Sequence, residues 1–340
     1  MPNADIAGNG SVWIGLETTY GTPVDPTASG VGVWCPILSE TLKYTEAKYY
    51  SPQIRQSAIV SDVRQSYYHV EGDIVMEVDS NYLPYFLIAS RHSIAKTGPV
   101  SLVYNYAATP TNIGSTYPGG TGRGLSIAIV RDAVGFLYSG CVVNNWEFMI
   151  DNGVLKVTMG ILGLAETDLA GAPSQSWIDP LLLGADAHSI YLDTAGTAPT
   201  FGGGRDNTFN GFTWRANYNG TPQNRIVPTR SATYISYGEI EATYETELDF
   251  VSKTEYNNMK ANTLRAIKLE SINPGGVSGT FAAATSALQI ITRRSNYDTY
   301  DVGLTGMGDL IMARVTGRSI GISGAAPYTI TCKSLANLTP

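Results

Sequence analysis

Val70-Glu71-Gly72-Asp73-Ile74-Val75-Met76-Glu77-Val78 and Tyr237-Gly238-Glu239-Ile240-Glu241-Ala242-Thr243-Tyr244-Glu245 share one pattern: glycine, acid, isoleucine, then alternation. A period of two marks a strand buried on one face. It sets Asp73, Val75, Glu77 and Asp79 against Ile74, Met76 and Val78. In the second stretch it sets Glu239, Glu241, Thr243, Glu245 and Glu247 against Ile240, Ala242, Tyr244 and, after a small irregularity, Leu248. Each strand thus has an apolar face and an acidic face.

Outward from these anchors the two halves keep step. A helix is expected after each strand. One starts near Ser80 and carries Pro84 in its first turn, where no N–H is missed. The other opens on Ser252-Lys253-Thr254-Glu255, the spacing of a capping box, with Tyr256, Met259, Lys260 and Leu264 following. Next come Leu125–Asp132 and Leu288–Ser295, 53 positions after Gly72 and 50 after Gly238. Each half then closes on a pair of strands. Val142–Ile150 turns through Asp151-Asn152-Gly153 into Val154–Met159, and Asn-Gly suits a tight hairpin. Asp309–Val315 and Tyr328–Cys332 take the matching places. The reading is a duplication, with domains at 1–175 and 176–340 and a boundary in or just after Ala170–Ser174. Thr194–Asn210, rich in Gly, Thr and Pro, reads as an exposed loop.

Composition supports a mainly β chain with short helices. Of 340 residues, 36 are Gly, 17 Pro and 21 Tyr, which suits strands joined by many turns. Charged residues are 15%, against about 25% in an ordinary soluble domain. Low charge beside 43% hydrophobic residues suggests surface covered by self-assembly. The net charge of −7 argues against gripping nucleic acid, because phosphates are neutralised by Lys and Arg.

The N-terminal stretch Gly15-Leu16-Glu17-Thr18-Thr19-Tyr20-Gly21-Thr22 resembles the opening of siphophage (long-tailed bacteriophage) major tail tube proteins. Pro36–Leu42 is similar to the short strand that follows it, Gly72-Asp73-Ile74 to a later strand start, and Tyr138–Asn144 to a later strand still. The resemblance covers most of 12–165 and, more loosely, 210–335. It implies a duplicated tail-tube fold, each copy a two-sheet β-sandwich or barrel with a flanking helix. It implies rings whose inner strands form a β-barrel channel through which DNA passes without specific binding. Members with two tube domains form trimeric rings of pseudo-sixfold symmetry, and members with one form hexamers. The implied partners are a second copy of the chain, a tape-measure protein in the lumen, and terminator and baseplate proteins. The implied location is the virion tail, assembled in the host cytoplasm.

Two groups of residues become candidates. Asp73, Glu77, Asp79, Glu239, Glu241 and Glu245 either line the lumen, where like charge repels DNA, or form a solvated outer face. The segment from Lys43 to Val70 reads as a long polar loop. In it Tyr49, Tyr50, Arg55, Arg64 and Tyr67 are candidates for contact between rings, since Tyr and Arg are enriched at interfaces.

No catalytic, cofactor or metal site is expected. His69, His92 and His188 show no ligand spacing, and Cys35, Cys141 and Cys332 are far apart and odd in number, which suits buried free thiols. Gly119–Gly124 lacks the Gly-Lys-Ser/Thr ending of a phosphate loop, and no GxSxG elbow occurs. Met1–Asp5 lacks a leader's basic start, and no apolar run approaches a membrane span. The alternative from another class is a carbohydrate-binding β-sandwich on a tail tip or fibre, stacking sugars on Trp13, Trp34, Trp146, Trp177 or Trp214. A capsid decoration protein is a third.

Overall fold

A computed structural model describes residues 10–28, 32–51, 63–100, 102–111, 123–131, 134–169, 175–178, 183, 187–202, 206, 208–225, 229–273, 281, 284–303, 311–321 and 325–340. In chain order the elements are β1 (Gly10–Leu16), β2 (Gly32–Cys35), β3 (Ser39–Glu40), β4 (Lys43–Tyr50), β5 (Val63–Glu77) and α1 (Leu83–Ile88). There follow β6 (His92–Val100), β7 (Val103–Pro110), β8 (Leu125–Arg131), β9 (Val134–Asp151), β10 (Val154–Gly163) and β11 (Ala165–Leu169). Then come β12 (His188–Thr194), β13 (Phe209–Asn217), β14 (Thr221–Gln223), β15 (Tyr234–Ser236), β16 (Glu241–Asp249) and α2 (Thr254–Lys260). The chain ends with β17 (Arg265–Ile272), β18 (Ala287–Gly303), β19 (Met312–Ser319) and β20 (Tyr328–Ser334). The protein is mainly β, as its composition suggests.

One order of pairing occurs twice. β1 pairs with β8, β8 with the first half of β9, and that half with β11. Likewise β12 pairs with β17, β17 with the first half of β18, and that half with β20. The second half of each long strand turns into another sheet: β4–β5–β10–β9 in one case, β13–β16–β19–β18 in the other. A helix follows β5 and β16 alike. This order revises the strand matching read from sequence. Leu125–Asp132 contributes β8, whose counterpart is β17; Leu288–Ser295 lies in β18, the counterpart of β9. Alternating apolar strands look alike one by one, and only their neighbours tell them apart.

Among the described residues the two sets join through two strand pairings and, at Tyr68 and Ser231, an isolated bridge. β9 pairs with β13, so that eight strands run as one antiparallel sheet in the order β4–β5–β10–β9–β13–β16–β19–β18. β20 pairs with β7, which brings the β6–β7 hairpin onto the other sheet of the second set. Apolar side chains from both sets fill one core, including Trp146, Phe148, Trp214, Tyr244, Ile290 and Ile330. Trp146 and Phe148 stack at 5.6 Å, and Trp214 meets Tyr328 edge-on at 4.9 Å.

A buried polar cluster crosses the same seam. His92 Nε2 lies 3.1 Å from Tyr218 Oη and 3.3 Å from Tyr328 Oη, and its Nδ1 meets Ser90 Oγ. Tyr328 donates to Tyr218 at 3.1 Å, so every member has a partner. Burial pushes the His92 pKa down to about 3, and the ring is therefore neutral.

Several local expectations change. The stretch read as a loop after Lys43 is mostly a hairpin arm, since β4 and β5 pair from Lys43↔Glu71 out to Tyr50↔Val63. The second acidic strand begins at Glu241 and is regular, with Thr246 buried and its hydroxyl donating to Gly211 O at 2.6 Å. The capping box does not form. Glu255 accepts instead from Tyr297 Oη at 2.6 Å and Arg265 Nη2 at 3.2 Å, which pins α2 to the sheets. Phe201, inside the expected loop, is buried. Ala170–Ser174 lies outside the described residues.

The N-terminal motif has a clear physical role. Glu17 is buried, and its carboxylate accepts from Gly21 N at 2.7 Å, Gly140 N at 2.7 Å and Ser126 Oγ at 3.0 Å. Gly21 and Gly140 both have positive φ, 79° and 62°, which favours glycine. One side chain thus closes the loop after β1 and ties it to the bend of β9.

Candidate functional site

The eight-strand sheet has two faces. One packs on the core through Ile74, Met76, Phe148, Trp214, Tyr244 and Val315. The other is polar and carries eleven acids, Glu71, Asp73, Glu77, Glu147, Asp151, Glu241, Glu245, Glu247, Asp249, Asp298 and Asp301. Five bases stand among them: Lys43, Lys156, Arg215, Arg314 and Arg318. The face is therefore net negative but not uniformly acidic.

The bases lie where neighbouring strands bring acids together. Glu245 is held by Arg314 Nε at 2.9 Å and Arg215 Nη1 at 3.5 Å. Arg215 also reaches Glu147 across the β9–β13 junction at 3.0 Å. Arg318 lies 3.8 Å from Glu241 and 4.0 Å from Asp298, and Lys156 meets Asp151 at 2.6 Å. Exposed pairs of this kind contribute about 0–1 kcal/mol each. Their larger effect is to let carboxylates on adjacent strands coexist.

Of the acidic candidates, Asp73, Glu77, Glu241 and Glu245 are on this face. Glu239 is exposed just before β16. Asp79 is not on it. It is 0% exposed, and its carboxylate accepts from Asn81 N at 2.8 Å at the entry to α1. Alternation stops where β5 ends, so extending the pattern by one more step misplaced it.

Both outer flanks of this sheet are open. Among the described residues β4 pairs only with β5, and residues 296–303 of β18 pair only with β19. Unpaired edges of this length are templates for another strand. The β4–β5 arm forms one flank, and most of β4 is exposed. Tyr49 and Tyr50 at its outer end are 54% and 58% exposed, Tyr67 is exposed, and Arg64 lies opposite Tyr49. Arg55 lies outside the described residues. The base of the arm is gripped by the second half. Arg230 donates to Gln65 Oε1 at 2.7 Å and Ser66 O at 3.1 Å, and pairs with Glu46. The sequence reading missed Arg230, Arg314 and Arg318. The last two alternate along β19 as the glutamates do along β16, a signal that was available.

Other chemistry is sparse. Four tryptophans are buried; Trp177 is half exposed and lies 6.2 Å from Trp34, so they form no common platform. The three cysteines are buried and free, and burial raises their thiol pKa values. Among the described residues no group of His, Cys, Asp or Glu is placed to hold a metal, and no helix is long and apolar enough to cross a membrane.

A family model described as phage tail tube protein matches residues 8–326. No curated protein matches the chain.

Proposed function

This chain belongs to the phage tail tube protein family, and from that premise we propose that it is the major tube subunit of a siphophage tail. Copies join edge to edge into rings, and the rings stack into a tube. The single observation that carries the reading is the continuous eight-strand sheet with an open edge at each flank. Heterologous contacts between identical copies close into rings when the rotation permits, and closing the sheet removes its edges.

The recurring strand order supports two tube domains, 1–175 and 176–340, and hence a trimeric ring with pseudo-sixfold symmetry over a hexameric one. The polar sheet face then lines the channel. Its excess of acids repels DNA phosphate, while the interleaved arginines limit repulsion within the wall. The tape-measure protein occupies that lumen during assembly in the host cytoplasm, and terminator and baseplate proteins cover the ends. The role is structural, not enzymatic.

Electron microscopy of the purified chain at high concentration tests this. Hollow stacked rings with threefold end views are expected. Particles that stay monomeric, in the presence of preformed tail ends as well, would overturn it.

A further inference from the structure

The β9–β13 junction inside one chain offers a template for the junction between chains. We propose that the open edge of β18 pairs antiparallel with the β4 edge of the next copy, in the register of β9 with β13, so that Asp301 faces Lys43 of the neighbour. The proposal rests on the ring reading above and names the strands and register that make the ring.

The register follows from the ladders. Glu77 is the last residue of β5 laddered to β10, and Val78 N then donates to Leu155 O at 2.8 Å. Asp249 is the last residue of β16 laddered to β19, and Phe250 N then donates to Ile311 O at 2.8 Å. Setting Glu77 on Asp249 aligns the two sets, and the pairings carry the alignment across each sheet. Val75–Thr158–Glu147 falls on Glu247–Arg314–Asp301. On the other flank, Arg215 beside Thr243 falls on Lys43 beside Glu71. Glu147 and Arg215 face each other across the internal junction at 3.0 Å. Their counterparts are Asp301 and Lys43, again an acid on the long strand and a base on the incoming one.

The neighbouring positions agree with the same register. It sets Tyr300 against Tyr44 and Thr299 against Thr45, both favourable cross-strand pairs. Asp301 is exposed and makes no ion pair among the described residues, and Lys43 keeps most of its side chain exposed while pairing with Glu71 at 3.9 Å. The internal base behaves alike, since Arg215 holds Glu245 of the adjacent β16 while reaching outward to Glu147.

The test is a charge-reversal cycle with cysteine cross-linking in assembled tubes. Asp301→Lys and Lys43→Asp should each raise the concentration needed for assembly by about tenfold, as opposed like charges do, and the double variant should restore it. Circular dichroism should show all three folded. Lys43→Cys with Asp301→Cys should oxidise to covalent chains of up to three copies, without interference from the buried native thiols. Tubes that form normally with no such cross-link, or that cross-link instead between positions 298 and 48, would overturn the register while leaving the ring reading intact. A wild-type chain that forms no rings would overturn both.

Discussion

Glu17 and Gly140, 123 positions apart, meet at 2.7 Å where the loop after β1 touches the bend of β9. The carboxylate serves three donors at once, and burial raises its pKa against the pull of the Gly140, Gly21 and Ser126 hydrogen bonds. Glu17→Ala leaves those donors unmet inside the protein. A loss of about 2–4 kcal/mol is expected, read by urea denaturation of unassembled chain. Glu17→Gln should cost less, since one amide oxygen still accepts. Equal stability in all three proteins would refute the role assigned to this side chain.

The buried His92 predicts a pH dependence. Its folded-state pKa is about 3, below the ordinary 6.5. Between those values the unfolded chain takes up a proton that the folded chain does not. Stability should therefore rise as pH rises from about 3 to 6.5 and then level off, with a slope from this group of at most about 1.4 kcal/mol per pH unit. His92→Gln should flatten that part of the curve. Thermal melts across pH 4 to 7, about the range in which this group acts, provide the measurement.

Glu241 and Glu245 should respond differently to charge reversal. Glu245 sits between Arg215 and Arg314, so Glu245→Lys gathers three cations and should hinder folding or assembly. Glu241 is half exposed, and among the described residues its one ion pair is with Arg318, at 3.8 Å. Glu241→Lys should assemble and slow DNA release by attracting phosphate, more so at low salt. Ejection rates indistinguishable from wild type at low ionic strength would count against a lumen-facing wall.

The arm should govern stacking and not folding. Tyr49→Ala with Tyr50→Ala removes exposed aromatic surface and no core contact. Single rings with native circular dichroism but few stacked tubes are expected in sedimentation. Full-length tubes in normal yield would show that the arm makes no contact between rings.

Local pattern determined much of this protein. Period-two alternation in Asp73–Val78 and Glu241–Glu245 set which side chains face the core, because neighbouring side chains on a strand must point opposite ways. Turn residues such as Asn152-Gly153 set where strands end. Lateral order was decided only by tertiary structure. Strands as far apart as β7 and β20 pair through backbone groups that every residue carries, so the sequence holds little record of who sits beside whom. The same reason explains the local misses. Glu255 has the spacing of a capping residue, yet Tyr297, 42 positions away, offers it a buried hydroxyl. Asp79 continues the acidic pattern on paper, but β5 has ended and its buried carboxylate accepts from Asn81 N ahead of α1. The arginines that temper the acidic face come from β13 and β19, and only folding brings them beside Glu245.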